Sequence, residues 1–283
     1  MNKKEIINNY EYSINSEHET IIDTYLNNPI FILLEEHNSK NISNYCKHNL
    51  IRILKLVKIP NYNIIEYISK IKTIPIINIY YKLDDIIKFT EIFKQFISDL
   101  DNELSKYSME FNGGCTITIT YILKNYIITV NLGNSRTILL QKNNNIIVLS
   151  EDHTSSNPIE KKRIEKFHCL IKNNKINNNI PVSRSLGNFK YKNKKCLNSK
   201  NQIILNIPDF KYYKKNNYEK YILIGSHNLW NVFTNNKLIY FIEYINSKNI
   251  NDIHEISTLI KMKAKKIGYN GSLTIIIINL NII

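Results

Sequence analysis

Apolar residues recur along this chain with two periods that take turns, and that alternation predicts a mixed α and β protein. Phe31–Leu34 is a short apolar run suited to a buried strand, followed by a loop. Ile42, Tyr45, Cys46, Leu50, Ile53, Leu54 and Val57 then fall at helical spacing. After Asp84 or Asp85, read as an N-cap, the positions Ile86, Phe89, Phe93, Phe96, Ile97, Leu100 and Leu104 make a stripe of about six turns. Thr116–Ile122 alternates with period 2, Lys124-Asn125 supplies a turn, and Tyr126–Asn131 continues as a β-branched run, so an antiparallel hairpin is predicted. Asn157-Pro158-Ile159-Glu160 carries a capping residue, a proline for the first helical position and a glutamate for the third, and should open a helix.

The second half reads as an exposed loop at Asn173–Asn179, strands at Ile203–Ile207 and Tyr221–Gly225, helices at Lys237–Asn246 and Asp252–Ile267, and a last strand at Leu273–Leu280. No repeat and no long Gly/Pro/Ser linker divides the chain, so residues 1–283 are read as one domain. Its 283 residues, 43% hydrophobic and 22% charged, suit a globular protein with a sizeable core and exclude collagen, coiled coil and wholesale disorder.

The net charge of +14 would by itself suggest a nucleic-acid or anionic partner. Composition tempers that reading: 55 Ile and 44 Asn stand against one Ala and four Arg, the bias of a very A+T-rich genome, which turns Arg into Lys. Cys46, Cys115, Cys169 and Cys196 form no CxxC pair, and MNKKEIINNYEYS lacks the apolar core of a signal peptide. Together these predict an intracellular protein, cytoplasmic or nuclear. The longest apolar tract, Leu273–Ile283, is interrupted by Asn279 and Asn281 and is too short to span a bilayer.

Candidate chemistry belongs at strand ends, where loops place polar groups on a rigid frame. The segments there are FILLEEHNSK (31–40), GGCT (113–116), NLGNSR (131–136), SEDHTSSNPIEKKRI (150–164), VSRSLGNFKYK (182–192), IPDF (207–210), LWNVFTN around Trp230, and GSLTIIII (271–278). In this order and spacing the chain, from about Tyr12 to Leu280, resembles the metal-dependent type 2C (PPM) serine/threonine protein phosphatases. The resemblance implies an α+β fold, a four-layer α-β-β-α sandwich of two antiparallel sheets flanked by helices. It also implies two Mn²⁺ or Mg²⁺ ions on carboxylate oxygens, with a bridging water that attacks phosphoserine or phosphothreonine.

The ligand positions depart from that pattern. Where the family writes Asp-Gly-His-Gly-Gly, this chain has Glu35-Glu36-His37-Asn38-Ser39. Glu35 stands at the bridging carboxylate but is longer by about 1.5 Å, enough to disturb a rigid octahedral set. Glu36 stands where a backbone carbonyl binds, and His37 retains the residue that helps protonate the leaving alkoxide. A positive φ in place of the lost glycines would be strained. For Asp-Gly-Leu-Trp-Asp the chain has His227-Asn228-Leu229-Trp230-Asn231, and for the closing Asp-Asn it has Gly271-Ser272. Asn134 replaces the Asp of a third metal site, Asn188 another Asp, and a looser alignment sets Ile22 at a metal-linked Glu and His18 at the phosphate-binding Arg.

Neutral groups in place of several carboxylates remove both bonds and charge from a site built for two divalent ions. The resemblance therefore implies a pseudophosphatase that needs no cofactor and binds a phosphoprotein or signalling partner. The competing readings are a phosphatase still active on an altered Mn²⁺ or Mg²⁺ set around Glu35, His37 and His227, and a nucleic-acid module resting on the charge. Smaller features are read structurally. Glu35-Glu36-His37 reads as a solvated turn, with Zn²⁺ on Glu35, His37 and His227 as the alternative. Arg136 and Arg184 read as ion-pair partners of groups such as Asp152, Cys115 as a buried filler, and Lys211–Lys220 as a basic loop without a nucleic-acid role.

Overall fold

The computed structural model describes residues 2–7, 10–25, 28–38, 40–57, 84–107, 113–192 and 202–281. In chain order the elements are β1 (Asn2–Ile7), β2 (Tyr10–Asn15), β3 (Glu19–Tyr25), β4 (Asn28–His37), α1 (Lys40–Val57), α2 (Asp84–Ser105), β5 (Gly114–Ile122), β6 (Tyr126–Leu132), β7 (Arg136–Gln141) and β8 (Ile146–Val148). There follow α3 (Pro158–Glu165), β9 (Ile171–Lys172), β10 (Lys175–Ile176), β11 (Leu186–Gly187), a 3₁₀ turn at Phe189–Tyr191, β12 (Asp209–Lys214) and β13 (Glu219–Gly225). The last are α4 (His227–Val232), α5 (Asn235–Ser247), α6 (Ile253–Lys266) and β14 (Ile275–Asn279).

The strands form two large antiparallel sheets. One runs β1-β2-β14-β13-β7-β8; the other runs β12-β6-β5-β4-β3, with β11 paired to the start of β5. Period 2 explains how they stack. Phe31 and Leu33 of β4 point inward and pack with Tyr12, Leu139, Ile224 and Ile276 of the facing sheet, forming a core between the sheets. The alternate residues Ile32 and Leu34 point outward under α1 and α2, against Ile42, Cys46, Phe93 and Leu100. On the far side Ile138, Leu223 and Ile277 meet Leu229, Leu238, Ile242 and Ile260 of α4, α5 and α6. The result is the four-layer α-β-β-α sandwich that the resemblance implied.

The helix and hairpin expectations hold. Asn157 caps α3 by accepting from Ile159 N and Glu160 N, Asp252 caps α6 in the same way, and β5 and β6 pair from Ile117 opposite Leu132 to Ile122 opposite Ile127. The stripe positions Ile53, Leu54, Val57, Ile86 and Phe89 fall outside the described side chains, and Ser39 and Cys196 outside the described residues.

Four expectations change. The loop expected after Leu34 does not begin there, because β4 runs on to His37, paired with Gly114. Ile203–Ile207 is no strand: the Ile203 and Ile207 carbonyls are taken by Arg163 and Arg184, and only Leu205 makes a β-bridge, to Arg184. Asn173–Asn179 is more ordered than a loop, since Asn173 and Asn174 take φ of 51° and 57° and turn β9 back onto β10, leaving Ile176 buried. Finally, Lys211–Lys214 belong to β12, the edge strand beside β6, rather than to a basic loop.

Candidate functional site

Glu35 continues the inward row of Phe31 and Leu33, so the strand that builds the core also drives a carboxylate between the sheets. It is 3% exposed and therefore no part of a solvated turn. A buried carboxylate needs donors, and Glu35 has them. Oε2 accepts from Ser135 Oγ at 2.6 Å and from the backbone N–H of His227 at 3.0 Å, while Oε1 accepts from His227 Nδ1. His18 Nε2 stands 3.7 Å from the same Oε1. Burial alone would raise this carboxyl, but the His227 hydrogen bond, the two imidazoles and Ser135 outweigh it and hold it down to about 2. The same pairing overcomes burial at His227 and raises its imidazole.

Three distant segments deliver these donors. Ser135 sits in the turn from β6 to β7, where Gly133 takes φ of +127° and a Cβ would stand 2.3 Å from Thr116 Cγ2, so only glycine lets the turn close. His227 opens α4 directly after β13, which aims both its backbone N–H and its ring at β4. His18 lies in the β2–β3 turn with Nδ1 2.8 Å from Thr274 Oγ1.

His37, at the end of β4, has Nε2 2.6 Å from the amide nitrogen of Asn188, which also donates to Ser185 Oγ at 2.8 Å. Burial lowers this imidazole to about 4, so near pH 7 it is neutral, with Nε2 accepting from Asn188, and lacks the acidic proton of an imidazolium. Asn188 takes φ of 52° and Asn38 takes 68°. The positive φ foreseen beside His37 is thus present, and strain is small because asparagine tolerates the left-handed region. Glu36, opposite Cys115 in the ladder, keeps a buried Oε2 with no hydrogen-bond partner among the described residues.

The other family ligand positions do not join this cluster. Asn134 is buried in the β6–β7 turn, Asn231 is exposed on α4, Gly271 lies against Tyr269, and Ile22 is half-buried in β3. Asn228 donates instead to Ser272 O at 2.7 Å. Mn²⁺ or Mg²⁺ would need several free carboxylate oxygens, whereas Glu35 is the one carboxylate the cleft offers from those positions and both its oxygens already accept from protein donors. The donor set does not fit a two-metal centre. Among the described residues no group of three or more His, Cys, Asp or Glu is arranged to hold an ion, and the Zn²⁺ alternative on Glu35, His37 and His227 fares no better, because His227 Nδ1 is turned onto Glu35 and His37 onto Asn188.

The scaffold around the cluster is intact. Arg136 grips Asp152 with two hydrogen bonds of 2.9 and 2.7 Å and lies 5.2 Å from the Trp230 ring centroid. Arg184 joins Glu160 to Asp209, and His153 completes the run by bridging Asp209 and Gly133 N. Both arginines are therefore structural, as expected, and Cys115 is a fully buried filler. What sequence reasoning missed is the capture of Glu35. The resemblance already set His18, Glu35 and His227 at one site, but His227 there as a replaced or altered metal ligand rather than a donor to Glu35, and Ser135 stood only within NLGNSR with no role toward the carboxylate.

A model of the family described as protein phosphatase 2C matches residues 28–272. Protein phosphatase 2C 1 of Paramecium tetraurelia is 32% identical over 165 residues, covering 54% of this chain and 55% of its own length. Probable protein phosphatase 2C 4 of the same organism is 27% identical over 227 residues, covering 80% and 71%. The chain thus spans about half the length of the first of these relatives. Among solved structures, a phosphatase from a pathogenic strain of Toxoplasma gondii superposes with a TM-score of 0.72 at 14% identity, over 95% of this chain and 92% of that one. A sex determining protein of C. elegans gives 0.69 at 16% identity, over 94% and 62%. No helix among the described residues is long and apolar enough to cross a membrane.

Proposed function

Because the chain belongs to the protein phosphatase 2C family, we propose that it is a catalytically silent member of it, an intracellular pseudophosphatase that binds a phosphoprotein or signalling partner through the former active-site cleft. The observation that carries this reading is the saturation of Glu35 by Ser135 and His227. A carboxylate that already accepts three protein hydrogen bonds has little left for a divalent ion, and the residue that displaces the ion is the one standing where a second carboxylate would be. His37 adds to it, since a neutral imidazole accepting from Asn188 is poorly placed to protonate a leaving alkoxide. In this reading no Mn²⁺ or Mg²⁺ is required, because His227 occupies the carboxylate that an ion would bind.

The test is hydrolysis of a phosphothreonine peptide by the purified chain in millimolar Mn²⁺ or Mg²⁺, beside a Glu35→Ala variant. No turnover by either protein is expected. Turnover by the parent chain that Glu35→Ala abolishes would replace this reading with that of an active phosphatase on an altered metal set.

A further inference from the structure

Helices α5 and α6 form the outer layer over the first sheet, far from the space between the sheets where Glu35 lies. Helix α5 buries Leu238, Ile239, Ile242 and Ile245. Three- and four-residue spacing then sets Lys237, Tyr240, Phe241, Tyr244 and Lys248 along its other side. A surface helix ordinarily shows polar residues there, yet Tyr240 is 70% and Tyr244 59% exposed. Helix α6 adds Met262, 59% exposed, and Lys263, whose ammonium lies 5.9 Å from the Phe241 ring centroid and so ties the two helices into one surface. Lys248 lies 5.6 Å from the Tyr244 centroid.

The charge around this apolar strip is one-sided. Lys237, Lys248, Lys263 and Lys266 are exposed, and none belongs to an ion pair among the described residues. Of the nearby acids, Glu243 is half-buried beside Lys220, and Asp252 and Glu255 lie at the start of α6, the end opposite Met262, Lys263 and Lys266, with Asp252 engaged in capping the helix. Two packed helices present a shallow furrow that a third helix fits, and exposed Tyr flanked by cations is a surface whose burial gives large contact area at small entropy cost. A lipid surface fits less well, because Phe241 is stacked on Phe233 and packed inward rather than projecting.

We propose that the α5–α6 face is a docking surface for an acidic amphipathic helix of a partner protein. Its apolar side covers Tyr240, Tyr244 and Met262, and its carboxylates reach Lys237, Lys248, Lys263 and Lys266. This surface is independent of whether the cleft is catalytic.

The probe is a fluorescein-labelled synthetic amphipathic helix of about five turns with Leu on one side and Glu on the other. A counterpart with Lys for Glu and vesicles of phosphatidylserine accompany it, all measured against the full chain. The acidic helix should bind and the basic one should not. Tyr240→Ala with Tyr244→Ala should weaken binding at least ~10-fold, and Lys263→Glu with Lys266→Glu should shift preference to the basic helix. The second pair changes only exposed side chains, so it carries the test if the first disturbs folding. Failure of the acidic helix to bind, equal binding by parent and both variants, or binding to vesicles alone would each overturn the proposal.

Discussion

Ser135 and Glu35, a hundred positions apart in the chain, meet at 2.6 Å where the β6–β7 turn faces the end of β4. The hydroxyl donates to a carboxylate that water does not reach, so the bond replaces hydration that folding removed. Ser135→Ala should therefore cost about 1–3 kcal/mol, read from urea unfolding. A loss within error of zero would mean that solvent reaches Glu35 after all.

Metal response follows from the same cluster. Mn²⁺ should leave the unfolding temperature of the parent chain unchanged, and a chelator should do nothing. Glu35→Asp combined with His227→Asp and Asn231→Asp returns carboxylates to the family positions, and a rebuilt site would add about 2.7 kcal/mol at a hundredfold excess of metal over its Kd. Differential scanning fluorimetry across a Mn²⁺ titration separates the two proteins. A parent chain that is stabilised like the triple variant would contradict the captured carboxylate.

Acid should destabilise the fold through Glu160. Burial would raise this carboxyl, but Arg184 and Arg163 hold it down to about 2 from an ordinary 4.5. A folded value below the unfolded one means that its contribution is fully present above about pH 4.5 and is lost as pH falls toward 2. Glu160→Gln should cost ~3 kcal/mol at pH 7, since it removes the carboxylate that Arg163 pairs with and one of the two that Arg184 pairs with, and should flatten the acid limb of the stability curve. A variant whose acid limb matches that of the parent would remove Glu160 from the account.

Asp101 is a second buried node. It accepts from Gly187 N, from Asn206 and, with both oxygens, from Lys192, thereby holding α2 against the β11 segment that presents Asn188 to His37. Removing one partner strands the other, so Asp101→Ala should cost about 3–5 kcal/mol. Lys192→Met added to it should recover part of that loss. The measurement is a double-mutant cycle by chemical denaturation, and simple additivity would show that the two do not act as a pair.

Several strands were hidden for identifiable reasons. β1 reads NKKEII, with no alternation, and is a strand through its pairing with β2, which in turn pairs with β14; β2 reads YEYSIN, a short period-2 pattern whose Tyr and polar residues give little apolar contrast. Ile203–Ile207 shows the opposite case, an apolar run whose end carbonyls go to Arg163 and Arg184 and whose middle residue, Leu205, bonds the Ser183 and Ser185 backbone, so β-propensity lost to partners that only the fold delivers.

The amino-acid sequence by itself determined the periodic elements, the capped starts of α3 and α6, the β5–β6 hairpin, the sandwich implied by its motifs, and the replacement of carboxylates at the ligand positions. Those properties are local: periodicity, caps and residue identity act over a few positions and can be read one segment at a time. Only the tertiary structure decided that Glu35 is buried, that Ser135 and His227 saturate it, and that Asn188 faces His37. Each of these depends on atoms from segments up to 192 positions apart, and the free energy of a carboxylate or imidazole is set by the donors and solvent that the folded chain brings to it.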